Sequence, residues 1–435
     1  MRKGLRKVLC LVLAVSLTAG LTGCTTYNNF KNAFFSDGKA SSEKTIKIGI
    51  YEPMTGQYKE QGKEEVAGIE LANKLYPTVL GKKVELVYAD NKSNMYDGET
   101  AIQELLSGSP SVVLGSYGET LTLVASDYIK ATNTPAITIS STNPLITVNN
   151  PYYFSAAYTE TRQGDALAEF AYTSAKKDVV ATVKAANDDT ATATIKRFTN
   201  KIKNLTGSSK SAAGNFVIPA DSQDYTETIE KIRSSGAKAV FVALQPAAAK
   251  SFMEQCVKNN LTHVLFLGTK SWNDKDLLKF LKNNPKLHAA YCVEQSQANT
   301  SELSEIFLDA YKKEYGEGSE PTGNMAVAFD AYVMALGAIE DAYNKLLDSD
   351  VEELAAKAKS DGEAMSIRSA YQKAMEEGIP SGTHIKDALN NITDFKGASG
   401  VINYGGNNEP TKSISINHIQ AGREIRVMVV PDHVS

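Results

Sequence analysis

The chain reads as an α/β protein built from two strand–helix arrays, and three observations predict it. Short apolar runs of strand length recur between amphipathic helical segments. The runs are near-continuously apolar rather than alternating, as in parallel strands covered on both faces. The pattern also restarts near Phe154, which gives two arrays of domain size within 435 residues.

The clearest unit spans 112–144. Two apolar runs, 112–114 and 135–139, flank a segment in which Leu121, Val124, Ala125, Tyr128, Ile129 and Thr132 fall at helical spacing. A strand–helix–strand unit of this length implies parallel strands that deliver their polar ends at one edge. Ligands of open α/β sheets bind beyond the carboxyl ends of the strands, so residues 115–120 and 140–143 are expected to meet around one small site.

The remaining elements follow in order. A strand over 45–51 leads through a polar loop, 52–62, into a helix that Pro77 ends; 84–89 is the next strand, with Asp90-Asn91 at its carboxyl end. In the second array, strands are expected over 179–184, 216–218, 239–243 and 264–267. Asp224 and Glu227 suggest a capping-box variant, with Tyr225, Ile229 and Ile232 forming the buried face of the helix that follows. The third part is mostly helical. Leu303, Ile306, Phe307, Ala310 and Tyr311 mark one helix, 324–347 a longer one, and 349–378 a charged surface insertion. Strands over 400–404, 413–419 and 425–430 close the chain, with a turn at 405–408.

Composition narrows the function classes. The chain is 42% hydrophobic and 22% charged, with a formal charge of -4. Arg2, Lys3, Arg6 and Lys7 lie in a segment expected to be removed, and their loss takes the charge to -8. Without a basic stripe, nucleic-acid binding is not expected. The five His are scattered and no Cys/His spacing suggests zinc, so no cofactor or metal is expected. Cys256 and Cys292 can pair in an exported protein or remain as two buried thiols.

Gly115 to Thr120 has neither the ending of a phosphate loop nor the spacing of a nucleophile elbow. Its small residues let a ligand approach the backbone, and Thr120 can cap the next helix, whose first N–H groups favour an anion. Pro144 fits the first position of a helical turn with Asn143 as its cap. The paired carboxylates Asp188-Asp189 and Asp221/Asp224 are tied to no nucleophile or base and read as solvated turns, so the protein is not expected to be an enzyme.

The N-terminus carries the most specific signal. A basic start precedes an apolar run over 8–21, then Leu21-Thr22-Gly23-Cys24. That run is too short for a bilayer, which takes about 20 residues. It fits a signal peptide, 1–23, and the ending resembles the bacterial lipobox, which implies a lipid on Cys24. Residues 24–44 would then tether the protein to the extracytoplasmic face of the cell membrane.

The ordered run of Ile46-Lys47-Ile48-Gly49-Ile50, Thr55-Gly56, Gly62, Asp90-Asn91, Gly115 to Thr120 and 140–144 resembles the leucine/isoleucine/valine-binding proteins of branched-chain amino-acid ABC importers. It continues through Gln163-Gly164, Asp224-Tyr225, Ser271-Trp272 and Ala328-Phe329-Asp330-Ala331-Tyr332. The resemblance implies a type I periplasmic-binding-protein fold: two doubly wound lobes joined by three crossovers, near 157–160, 291–294 and 412–417, closing on ligand like a clamp. Lobe 1 would comprise 45–158 plus 293–412, and lobe 2 159–292 plus 413–435.

The resemblance also places ligand contacts. A carboxylate-holding group falls on Thr120 or Glu119, Ser141 and Thr142. An aromatic position falls on Gln61; on the second lobe, tyrosine positions fall on Asp189 and Gln245, and the acid that pairs with the ligand ammonium falls on Lys270. A lysine there repels an ammonium but can grip a second carboxylate, and Asp189 or Glu119 can supply a negative partner. The loss of aromatic residues argues for a more polar ligand. The expected function is a monomeric solute-binding lipoprotein that captures an amino acid or related carboxylate and delivers it to an ABC permease. The alternative is a sensor that reports ligand to a membrane receptor.

Overall fold

The computed structural model describes residues 45–148, 150–293, 301–360, 379–404, 406 and 408–430. The signal peptide, Cys24, the tether, most of the charged insertion, and Gly405 and Asn407 of the expected turn lie outside the described residues.

Alternation explains the strands. In β1 (Ile46–Glu52), Ile46, Ile48 and Ile50 enter one apolar core while Tyr51 enters another. In β4 (Val112–Leu114), Val112 and Leu114 go one way and Val113 the other. Both faces are covered, so both must be apolar. These strands join β2 (Thr78–Val79), β3 (Lys82–Asp90), β5 (Ala136–Thr138) and β6 (Tyr153–Ser155) in a six-stranded sheet of order β2-β3-β1-β4-β5-β6. All its pairings are parallel except the short β2–β3 hairpin. Helix α1 (Lys59–Leu75) lies on one face; α2 (Met95–Ser107) and α3 (Glu119–Thr132) lie on the other.

The second array builds a seven-stranded sheet. Strands β7 (Val180–Ala185), β8 (Ala212–Ile218), β9 (Ala239–Ala243), β10 (Leu265–Gly268) and β11 (His288–Val293) are parallel. Helices α4 (Glu160–Glu169) and α5 (Asp189–Thr206) cover one face. Helices α6 (Thr226–Ser235), α7 (Pro246–Lys258) and α8 (Lys275–Asn283) cover the other. The chain then returns to the first core through α9 (Glu302–Tyr315), α10 (Gly323–Ser360), α11 (Gly382–Asn390) and a hairpin, β12 (Phe395–Gly397) and β13 (Gly400–Ile402). It ends in β14 (Ile414–Gln420) and β15 (Arg423–Val430), antiparallel at the edge of the second sheet. The chain therefore passes between sheets three times: after β6, after β11 and before β14.

Three local expectations need correction. The helix after Asp224 begins at Thr226 with no side-chain cap. Asp224 Oδ1 instead accepts from the Thr226 N–H and hydroxyl at 2.9 and 2.7 Å, an Asx turn, because the helix boundary falls too late for a capping box. The buried face of α3 is Leu121, Thr122, Ala125, Ser126 and Ile129, rotated so that Thr132 is exposed. Polar Thr122 and Ser126 point inward because they have partners there. The long helix continues past residue 347 to Ser360, into the stretch expected to open an insertion. Cys256 and Cys292 are buried and form no disulfide.

Candidate functional site

The carboxyl ends of the central strands in both sheets converge on one cleft. On the first lobe, Asp90 ends β3 and pins the loop after β1. Its Oδ1 accepts from the N–H groups of Met54, Thr55 and Lys92 at 2.9, 3.2 and 2.8 Å, and its Oδ2 from the Thr55 hydroxyl at 2.6 Å. Burial pushes its carboxyl up, but these donors outweigh it and hold Asp90 below the usual range. That pinned loop delivers the start of α1. Helix and loop touch at Gly62, where any Cβ would meet the Pro53 carbonyl oxygen at 2.3 Å.

Close packing at this corner brings two acids together. Glu52, the last residue of β1, and Glu65, on α1, are both fully buried. Glu52 Oε2 accepts from the Tyr117 N–H at 2.8 Å. Gly115, with φ +114, has no room for a side chain beside Glu52: a Cβ would lie 2.5 Å from Oε1. Burial, then the neighbouring Glu65 charge, drives the Glu52 carboxyl well above its ordinary value. Burial likewise raises Glu65, to about 7, against the opposing pull of Ser140, Glu52 and the Lys270 charge. Glu52 Oε1, both Glu65 oxygens, Gln61 Oε1 and Ser140 Oγ are all buried at this corner. Ser140 and Glu52 both hydrogen-bond Glu65, and the proton that Glu52 retains is shared between the two carboxyl groups.

A second polar group ties the next two loops. The Thr122 hydroxyl reaches the Ser116 and Gly118 carbonyls at 2.9 and 3.0 Å and the Ser141 hydroxyl at 2.8 Å. Asn91 Nδ2 donates to Ser116 Oγ at 2.8 Å. Beside this knot, Glu119 accepts from the Thr142 hydroxyl at 3.5 Å and from Asn143 Nδ2 at 3.4 Å. Burial first, then Asp188 of the second lobe, raises the Glu119 carboxyl.

Across the cleft, Lys270 opens a short helical turn after β10. Its N–H donates to buried Gln163 Oε1 at 2.6 Å, and its ammonium lies 6.0 Å from the centre of the Tyr158 ring.

The sequence-predicted residues divide accordingly. Gln61 and Lys270 lie at the acid pair. Glu119 and Thr142 form a second contact group, facing Asp188. Ser141 is buried, its hydroxyl engaged with Thr122 and the Ser116 carbonyl. Thr120, Asp189 and Gln245 are exposed on the first turns, or at the cap, of α3, α5 and α7. Thr120 does not cap α3: the helix starts at Glu119 after Gly118 and has no side-chain cap, so Thr120 stands one residue inside it. Asn143 does cap its turn, accepting from the Leu145 N–H at 2.9 Å. Asp188, rather than Asp189, caps α5. Sequence reasoning missed Glu52, Glu65, Ser116 and Thr122. Glu52 directly follows an apolar strand, and Glu65 stands one helical turn from Gln61, which are the signals that point to them.

A concavity of about 830 Å³, lined by Lys282, Glu320, Asn417 and 422–426, lies beside the β14–β15 edge. It is open to solvent, and its Lys282 and Glu424 pair with each other at 2.7 Å. It shares none of the strand-end geometry of the cleft.

Known proteins share this architecture. A leucine binding protein of Thermotoga maritima superposes with a TM-score of 0.68 at 22% identity, covering 89% of this chain and 99% of that one. The branched-chain amino-acid transporter substrate-binding protein of Streptococcus pneumoniae, in complex with isoleucine, gives 0.65 at 18% identity over 89% and 99%. A solute-binding protein of an R. palustris ABC transporter, in complex with benzoate, gives 0.63 at 13% over 90% and 98%. In sequence, the Leu/Ile/Val-binding protein homolog 6 of Brucella abortus is 23% identical over 251 residues, 55% of this chain; the match spans 60% of that relative's length. The family model for periplasmic binding proteins matches residues 45–421, and with two doubly wound lobes facing across a cleft, the chain belongs to the periplasmic binding protein family.

Proposed function

We propose that this chain is the solute-binding lipoprotein of an ABC importer, which takes up a small polar ligand, an amino acid or related carboxylate, between its lobes and delivers it to a membrane permease. The observation that carries the reading is the facing of polar strand-end loops across one cleft: Gln61, Glu119 and Thr142 on one side, Lys270 and Asp188 on the other. Relatives solved with isoleucine and with benzoate support a carboxylate-bearing ligand. Lys270 is the natural anchor for that carboxylate, as a cation in a partly desolvated cleft. Ser141 acts by fixing the loop, Thr142 and Glu119 line it, and exposed Thr120, Asp189 and Gln245 lie at the rim. The lobes are 45–158 with 293–412, and 159–292 with 413–435. Ligand drives closure only through extra affinity for the closed state.

Mass spectrometry of small molecules released from the purified protein, followed by calorimetry with the compound found, tests the ligand reading. A protein that releases nothing and binds no amino acid or carboxylate contradicts it. The lipid reading has its own test. Cys24→Ser should move the protein from the membrane fraction to the soluble fraction, and unchanged membrane association would remove Cys24 as the anchor.

A further inference from the structure

The turn that carries Lys270 takes one of its hydrogen bonds from a distant element. Lys270 opens a helical turn of three residues, and the first N–H groups of such a turn find no partner within it. Its internal bonds run from the Trp272 N–H to the Thr269 carbonyl and from the Asn273 N–H to the Lys270 carbonyl, both at 3.0 Å. Thr269 stands where a capping side chain would, yet it caps nothing, and its hydroxyl lies 2.9 Å from that of Ser271. The Lys270 N–H goes instead to Gln163 Oε1 at 2.6 Å, 107 residues away in the chain.

The place of Gln163 gives that bond its meaning. Gln163 is buried in the first turn of α4, directly after the chain enters the second lobe. Tyr158, in the same passage, has its ring centre 6.0 Å from the Lys270 ammonium. One stretch, 158–163, therefore meets Lys270 at both its N–H and its ammonium. On its other side the turn is closed by buried Trp272, which packs on Gly268 so tightly that a Cβ there would lie 1.9 Å from the indole. A backbone held in this way aims the lysine side chain at the cleft, where its charge acts on Glu65 of the opposite lobe.

We infer that Gln163 is a positioning residue for ligand capture: its side chain fixes the turn that presents Lys270 and couples that turn to the first passage between the lobes. The inference rests on the solute-binding reading above, with Lys270 as the carboxylate anchor, and deepens it. Gln163 has no need to touch the solute. A buried N–H that loses its acceptor is costly, and the turn relaxes to relieve it, so the ammonium is no longer held where a carboxylate meets it. Because the acceptor sits on α4, movement of the passage on closure is carried to Lys270.

Gln163→Met removes the acceptor at similar size. In the ligand-free protein, hydrogen exchange at the Lys270 amide, read by mass spectrometry of peptides spanning 268–273, should speed up by roughly tenfold, with the amides of β9 and β10 still protected. Calorimetry with L-leucine, benzoate and putrescine then reads capture; putrescine has amines without a carboxylate and is the control. A carboxylate probe that the parent binds should bind the variant roughly tenfold more weakly, with putrescine unchanged. Adding Gln163→Met to Lys270→Met should cost no further affinity, because Gln163 acts through Lys270. Unchanged exchange overturns the inference, and so does unchanged affinity for a bound carboxylate. An equal loss with and without Lys270 also overturns it, since a merely structural role gives that result. A parent that binds neither carboxylate probe counts against the carboxylate reading rather than against Gln163, whose part is then decided by the exchange rate alone.

Discussion

Lys270 shows how much one side chain decides in this cleft. Its ammonium is half-buried, close to the Tyr158 ring and within electrostatic range of Glu65. A charge-assisted hydrogen bond to a ligand carboxylate is worth roughly 1.5–3 kcal/mol. Lys270→Met should therefore weaken a carboxylate-bearing ligand by about that amount while leaving putrescine unaffected or bound more tightly. Calorimetry showing unchanged affinity for the carboxylate would take Lys270 out of the site. Ser141 has a structural role in its own right. Its hydroxyl is turned to Thr122 and the Ser116 carbonyl, where it fixes two loops.

At the scale of elements, α1 places the acids, and its own position is set by close backbone contact. A Cβ at Gly68 would lie 2.4 Å from the Met325 carbonyl oxygen of α10, so α1 and α10 touch where only glycine fits. Gly68→Ala must push the helices apart. Overpacking of this kind costs about 1–3 kcal/mol, and a lowered urea midpoint should report it. An unchanged midpoint would mean that the two helices separate freely. Because Glu65 lies one turn before Gly68, the shift should also reach the cleft. Most of the strands were legible from their apolar runs, whereas β2, β6, β12, α2 and α11 were not. Two further departures are informative: the rotated face of α3 and the late start of α6 depend on partners that periodicity does not register, such as Ser141 for Thr122 and Thr226 for Asp224.

The whole molecule is tied together at its inter-lobe passages. Buried Asp330 of α10 accepts from the N–H groups of Ala398 and Ser399 at 2.6 and 2.7 Å and from the Ser399 hydroxyl. Buried Lys412, just before β14, donates to Ser399 Oγ at 2.8 Å and to the Ala156 carbonyl at 3.2 Å. One polar knot thus joins the long helix, the β12–β13 hairpin and two of the three passages between lobes. Burial raises the Asp330 carboxyl from 3.8 to about 6, although Lys412 and Ser399 pull it down. A carboxyl raised on folding stabilises most when protonated. Its contribution is therefore full below pH 3.8 and is lost as pH rises through about 6. Lys412→Met leaves Asp330 without the cation that acts on it across Ser399, and leaving a buried charge uncompensated costs about 3–5 kcal/mol. The loss in Tm should be larger at pH 8, where Asp330 is charged, than at pH 5, where it can take a proton. Equal losses at both values would show that Lys412 matters for packing alone.

The sequence by itself determined the two arrays, the order of most strands and the edge at which the polar strand-end loops gather. Those features are written in local apolar runs and in the rule that polar residues follow parallel strands, so no distant contact is needed to read them. It also pointed to Asn143 as a cap, because Pro144 fixes that turn locally. Only the tertiary structure decided which side chains face one another. Glu52, Glu65 and Lys270 come from a strand end, a helix and the opposite lobe, and no spacing along the chain connects them. Asp330 and Lys412 meet only because the chain crosses between lobes at that point. Charge and hydrogen bonding act over a few ångströms in space, whereas periodicity acts along the backbone, and the chemistry of this cleft belongs to the first.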